Sequence, residues 1–178
     1  MSKSKEEQFW DAARAGDLSV VKNLAADPTL NINWQEPQYG FTSFNIACYE
    51  DRVSVVHFLL ILTTVDVNKP MNNGSTPFYM ACQKGHKVVV SLLLADMRID
   101  LNKPNNQGTP LFVASHEGHL PVVHLILASG REVDTKTKSI AGTETWNNKT
   151  AAEMARFQGT RAKLEAQSDE EYTRGKIK

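Results

Sequence analysis

The sequence predicts an all-α fold, a solenoid of five stacked helix pairs joined by β-hairpin-like loops. Two regularities along the 178 residues predict this fold. Glycine recurs every 34 residues, and alanine recurs every 33 or 34. The recurring residues are Gly40, Gly74, Gly108, Ala47, Ala81 and Ala114. A unit of this length cannot bury its apolar face alone, so neighbouring units must complete the core.

Each full repeat opens with a segment typical of a helix N-terminus. The three segments are TSFNIAC at 42–48, TPFYMAC at 76–82 and TPLFVAS at 109–115. The leading threonine can cap free backbone N–H groups, and a proline just after it loses no hydrogen bond in the first helical turn. Gly85 and Gly118 follow these helices, where a left-handed backbone is easiest for glycine.

The central unit also indicates which side chains form the core. Its second helix contains the apolar run KVVVSLLLA at 87–95. We assign six residues of this unit to the core: Ala81, Cys82, Val88, Val89, Leu92 and Leu93.

The other units are variations on this one. The N-terminal unit lacks the Thr-Pro opening and has a polar first turn, as an end cap should. The next unit places Asp51-Arg52 where others have Gly-His, and aspartate tolerates the left-handed conformation better than most residues. From Asp134 to Thr150, the threonine that opens the next unit, the spacing is 16 residues, against 8 from Asn68 to Thr76, which predicts a long finger or loop over 134–149.

These motifs resemble the ankyrin repeat family, whose units carry a Thr-Pro-Leu-His-x-Ala opening, a Gly-His turn and a Val-Val-x-x-Leu-Leu second helix. The turns appear here as Gly85-His86 and Gly118-His119. The resemblance implies one domain over 5–168, with caps at 5–40 and 143–168 and repeats at 41–74, 75–108 and 109–142. We expect residues 1–4 and 169–178 to be frayed.

Composition indicates which partners and which cell compartment to expect. The 20 basic and 20 acidic residues balance, so no general attraction to nucleic acid is indicated. The charged start predicts no secretory signal, and the apolar runs are too short to span a membrane. The two cysteines, Cys48 and Cys82, fit a reduced compartment. We expect a monomeric cytoplasmic protein, with the nucleus left open.

Catalytic or metal-binding constellations are scarce, so we predict no enzyme, no cofactor and no metal site. Cys82 with His86, and His116 with His119, could each be half of a zinc site, but the pattern does not persist between repeats. The resemblance implies instead that His86 and His119 make structural hydrogen bonds at the turns.

Asn68 and Asn102 allow two interpretations. Each follows an aspartate by two residues and a leucine by eight, a spacing similar to that of hydroxylated asparagines in ankyrin repeats. Alternatively, the asparagines serve the hairpin turns, for which their side chains are suited. We favour the second interpretation.

Protein binding is the function that the resemblance implies, through a concave face made by hairpin tips and first helices. Candidate contact residues occupy the two places before each turn and the hairpin tips. They are Tyr49, Glu50, Gln83, Lys84, His116 and Glu117, with Asn72, Asn73, Ser75, Asn106 and Gln107.

Aromatic residues extend this set, because Trp and Tyr are frequent where binding energy concentrates. Trp34, Tyr39 and Phe41 lie in the first hairpin region and Trp146 in the long finger. Alternatively, Trp34 or Phe41 packs under a loop, and Trp146 anchors the finger onto the C-terminal cap. Tyr79 and Phe112 are interpreted as packing within the stack. The main hypothesis is a non-catalytic module that binds an unidentified protein, and the alternative is a regulatory or substrate-targeting subunit of an enzyme or scaffold.

Overall fold

A computed structural model describes residues 2–136 of the chain, which contain eight helices. Their bounds are α1 Lys5–Ala15, α2 Leu18–Ala25, α3 Ser43–Tyr49, α4 Val53–Ile61, α5 Pro77–Lys84, α6 Lys87–Ala95, α7 Pro110–His116 and α8 Leu120–Ala128. The predicted fifth pair, Trp146 and the long finger from residue 137 onward lie outside the described residues.

The helices form two layers. The first helices of the pairs, α1, α3, α5 and α7, pack against one another in order and form the inner layer. The second helices, α2, α4, α6 and α8, do the same in the outer layer, and each pair is joined by a tight turn. The predicted all-helical solenoid is confirmed over the described part of the chain.

Local chemistry explains where the inner helices begin. The hydroxyls of Thr42, Thr76 and Thr109 accept hydrogen bonds from the backbone N–H three residues later, so each threonine is an N-cap. Pro77 and Pro110 follow at the first helical position, as predicted.

Left-handed residues end these helices. Gly85 has φ 73° and Asp51, at the equivalent place, has φ 56°, as the sequence predicted. Gly85 is also required by proximity, because a Cβ atom there would lie 2.5 Å from Nδ1 of His119 in the next unit. Both backbone conformation and close packing therefore exclude a larger residue at position 85.

A first ladder of hydrogen bonds joins the turns of successive units. Nε2 of His86 donates to the carbonyl of Tyr49 at 2.8 Å, and Nε2 of His119 donates to that of Gln83 at 2.9 Å. In the unit without a turn histidine, Nε of Arg52 donates at 2.8 Å to the carbonyl of Arg14. The predicted structural role of the two histidines is confirmed, and Arg52 substitutes for a third.

A second ladder joins the extended segments that follow the outer helices. The Asn68 side chain donates to the carbonyl of Arg98 at 2.6 Å and accepts from the backbone N–H of Asp100 at 2.8 Å. Asn33 and Asn102 make the same two bonds to their following units. Asn68 and Asn102 therefore have a structural role, since both ends of each amide are engaged, but their side chains join neighbouring units and do not close the hairpin turns as the sequence predicted.

The core runs along the seam between the two layers. Ala81, Cys82, Val89 and Leu93 are fully buried, as predicted. The prediction for Val88 was wrong, because this residue is 55% exposed and Val90 is buried instead. The helical period places Val89, Val90 and Leu93 on the buried face and turns Val88 outward, with Leu92 half-buried between them.

Candidate functional site

A cleft of about 690 Å³ opens on the side of the inner helices and is called the inner groove here. Its wall is formed by α1, α3, α5 and the loop between α2 and α3. The lining residues are Trp10, Arg14, Glu36, Gln38, Tyr39, Phe41, Ile46, Tyr49, Glu50, Met80, Gln83, Lys84 and Glu117.

The loop before α3 is held in place by Glu36. One carboxylate oxygen, Oε1, accepts from the backbone N–H of Tyr39 at 2.6 Å and of Phe41 at 3.3 Å, and the other accepts from that of Gln38 at 2.7 Å. The Glu36 backbone N–H donates to the carbonyl of Phe41, which closes the loop. Tyr39 and Phe41 are therefore presented to the groove by a fixed backbone.

Aromatic rings continue from this loop onto α3. Tyr39 and Phe41 meet edge to face at 6.5 Å between centroids, and Phe41 and Tyr49 do so at 5.7 Å. Nζ of Lys84 lies 4.5 Å from the centroid of Tyr49, a favourable cation–π position. Tyr39 remains 56% exposed, so this aromatic row presents apolar surface to solvent.

Charge in the groove is mixed. The Arg14 guanidinium lies 5.6 Å from the Trp10 ring centroid, and its Nε is 3.7 Å from Oε1 of Glu50. Oε1 of Glu117 is 3.0 Å from Nδ1 of His116. The buried indole Nε1 of Trp10 has no hydrogen-bond partner within residues 2–136. The groove thus combines apolar rings with cations and carboxylates, a suitable surface for a peptide chain.

Seven of the residues predicted to bind a partner line this groove: Tyr39, Phe41, Tyr49, Glu50, Gln83, Lys84 and Glu117. The structure therefore brings together the positions before three successive turns and the aromatic residues of the first hairpin. Seven others lie elsewhere on the described part of the chain: Trp34, Asn72, Asn73, Ser75, Asn106, Gln107 and His116.

The hairpin residues support the loops. The Asn72 backbone N–H donates to the carbonyl of Tyr39 at 3.0 Å, which ties the second hairpin to the first. Ser75 was predicted as a contact residue, but it is 1% exposed and its hydroxyl accepts from Nδ2 of Asn105 at 3.0 Å. Burial removes Ser75 from any accessible surface. Asn73 and Asn106 are exposed at the tips.

Six lining residues were missed from sequence: Trp10, Arg14, Glu36, Gln38, Ile46 and Met80. Arg14 stands two places before the turn glycine Gly16, as Tyr49 and Gln83 stand before their turns, so extending the repeat alignment would have found it. Glu36 and Gln38 carry no such signal, because their position depends on the folded loop.

Among the described residues there is neither a reactive thiol nor a cluster of metal ligands. Cys48 and Cys82 are free and fully buried, and burial raises the pKa of both thiols well above the usual value, which keeps them protonated. No three His, Cys, Asp or Glu side chains between residues 2 and 136 are grouped to hold a metal ion. Over the same residues, every helix is too short or too polar to traverse a bilayer.

Comparison with known proteins agrees with this architecture. The family model described as ankyrin repeats (3 copies) matches residues 44–137, just over half of the chain. A search of curated proteins found none that matches this chain. With its stacked helix pairs, threonine caps and left-handed turns, this chain belongs to the ankyrin repeat family.

Proposed function

We propose that the chain binds a partner protein by taking a segment of that protein into the inner groove. Ankyrin repeats are generally protein–protein interaction modules and are typically non-enzymatic. The observation that carries the proposal is the aromatic row of Tyr39, Phe41 and Tyr49, which remains partly open to solvent. Glu36 fixes the loop backbone at Tyr39 and Phe41, and helix α3 carries Tyr49.

The physical case rests on burial at low entropic cost. Tyrosine supplies a large contact area with few rotatable bonds, and rings already fixed by neighbours lose little freedom on binding. Arg14, Lys84, Glu50 and Glu117 surround the rings with both signs of charge, which favours a segment with matching polar groups. The exposed tips at Asn73 and Asn106 offer further contacts along the stack.

The two free, buried thiols support a reducing location such as the cytoplasm as part of the same proposal. A protein that works there needs no disulfide to hold its units together, since hydrogen bonds join them. Fractionation of the source cell would test this location directly.

The binding proposal is tested by replacing Tyr39 and Tyr49 together with alanine. Proteins retained by the wild-type chain from a lysate of the source cell are compared with those retained by the variant, using quantitative mass spectrometry. Because truncated interface aromatics commonly cost more than about 1 kcal/mol each, affinity for a true partner should fall at least about tenfold.

Asn23→Ala is the matched control, since Asn23 is exposed on α2 of the outer layer and lines no part of the inner groove. Circular dichroism must show that both variants keep the helical content of the wild type. If the double variant retains the same partners at the same level as the control, the inner groove is not the binding surface.

A further inference from the structure

Apolar residues are also exposed on the opposite side of the molecule, on the outer layer. Four large hydrophobic side chains are exposed there, one on each outer helix: Val20, Ile61, Val88 and Leu127. Ile61 is 65% exposed and Val88 55%. Such residues are unremarkable singly, but a contiguous apolar area indicates a contact surface.

Two of the four share one groove, called the outer groove here, with a volume of about 510 Å³. Residues of α2, α4 and α6 line it, and most of them belong to α4. The lining residues are Leu18, Lys22, Val53, Ser54, His57, Phe58, Ile61, Val88 and Leu92. Most of this lining is aliphatic or aromatic.

The spacing of the lining residues suits a helix. The lining residues of α4 run from Val53 to Ile61, the full nine residues of that helix, which is about 13 Å at 1.5 Å per residue. Each neighbouring helix contributes two lining residues one turn apart, Leu18 with Lys22 on α2 and Val88 with Leu92 on α6. A helix lying along α4 would place residues i, i+4 and i+7 in this trough.

Charge determines which kind of helix fits. The chain has 20 acidic residues, yet no Asp or Glu occurs in α2, α4, α6 or α8. The outer groove contains the ammonium of Lys22, which lies 5.8 Å from the Phe58 ring centroid, and no carboxylate. Lys87 adds a second cation to the same layer.

The carboxylates directly before α2 and α4 lie outside the outer groove. Asp17 precedes α2 and accepts from the backbone N–H groups of Ser19 and Val20 as the N-cap. Asp51 precedes α4, and its Oδ2 lies 3.9 Å from Nδ1 of His86. Neither residue lines the outer groove, so the cation there has no acidic partner among its lining residues.

We propose that the outer groove is a second interaction surface, and that it receives an amphipathic helix of a partner protein with an apolar stripe flanked by carboxylates. The apolar stripe would be buried on Phe58, Ile61 and Val88, and a flanking carboxylate would pair with Lys22. This surface is independent of the inner groove, so the molecule could hold two partners at once.

The test uses three synthetic peptides of about 18 residues, long enough to form a helix once bound. All three have leucine at i, i+4 and i+7, and their flanking positions are all glutamate, all glutamine or all lysine. Binding to the full chain is measured by fluorescence anisotropy. We expect the glutamate peptide to bind at least about tenfold more tightly than the lysine peptide.

Variants locate the binding. Ile61→Gln should weaken the glutamate peptide at least about tenfold, and Lys22→Gln should remove its advantage over the glutamine peptide. Met97→Gln is the matched control, because Met97 is 76% exposed but lines neither groove, and it should change nothing. The double replacement of Tyr39 and Tyr49 should also leave this binding intact, which separates it from the inner groove.

Other occupants of the outer groove would give different results, and each would overturn the proposal. If none of the three peptides binds, or if the glutamate and lysine peptides bind equally well, the outer groove does not bind an acidic helix. Binding to vesicles of phosphatidylcholine and phosphatidylserine that Ile61→Gln abolishes would assign the surface to a membrane. A dimer in sedimentation equilibrium that Ile61→Gln dissociates would assign it to a second copy of the chain.

Discussion

At the scale of single residues, the turn between α3 and α4 shows how the repeat tolerates variation. Asp51 adopts the left-handed conformation that glycine adopts at position 85, and Arg52 makes the interunit hydrogen bond that His86 makes. Geometry is therefore preserved although both residue types have changed. A backbone carbonyl can accept from the N–H of either a guanidinium or an imidazole, because the bond requires a donor at a suitable distance and angle.

The cost of the left-handed residue can be measured. We expect Asp51→Gly to be more stable than Asp51→Ala by about 1 kcal/mol, because a Cβ atom disfavours this backbone region and glycine has none. Both replacements remove the carboxylate, so their difference isolates the backbone. Urea unfolding monitored by circular dichroism gives the two free energies, and equal values would contradict the argument.

At the scale of elements, hydrogen bonds and apolar burial stabilise different parts of the stack. The asparagine ladder fixes the extended segments, the histidine and arginine ladder fixes the turns, and apolar contacts hold the helices. The repeat spacing predicted the helices and their N-caps because those depend on neighbours in sequence. It misassigned Val88, because three consecutive valines satisfy more than one helical phase and only the packed neighbours select it.

Removing one asparagine of the ladder should measurably lower the free energy of unfolding. Asn68→Ala leaves the carbonyl of Arg98 and the N–H of Asp100 without this partner, and should lower the free energy of unfolding by about 1–2 kcal/mol. Asn106→Ala, at an exposed tip, is the control and should change it by less than about 0.5 kcal/mol. If both variants lose a similar amount of unfolding free energy, the bonds of Asn68 to the next unit contribute nothing specific to stability.

At the scale of the whole molecule, each unit packs against its sequence neighbours. Such a chain behaves as a one-dimensional array, in which stability is a sum of unit and interface contributions. Two buried valines, Val56 of α4 and Val90 of α6, lie on outer helices that pack against each other. Val21 of α2 and Val122 of α8 are equally buried but are separated by two units.

Double-mutant cycles should reveal this arrangement. Replacing Val21 and Val122 together with alanine should cost the sum of the single changes to within about 0.5 kcal/mol. Replacing Val56 and Val90 together should deviate from the sum by at least about 0.5 kcal/mol, because the two residues are buried on helices that pack against each other. Chemical denaturation of the four single and two double variants provides the comparison, and strong coupling of the distant pair would contradict the array.

The inner groove was partly visible from sequence, for the same reason that the fold was. Positions such as Tyr49, Gln83 and Lys84 follow from the repeat, since equivalent residues of stacked units lie on one side of the stack. Glu36 could not be found this way. Its role comes from a loop whose backbone N–H groups converge on one carboxylate after folding.

The sequence by itself determined the period, the caps, the turns and the membership of most core residues, because these depend on contacts within one unit or on its repetition. The tertiary structure decided which face of each outer helix is exposed, which hairpin residues are buried and which aromatic rings meet. Those outcomes depend on the relative rotation and closeness of neighbouring units, which no single repeat encodes. The same packing exposed Val88 and Ile61 side by side, and with them the outer groove.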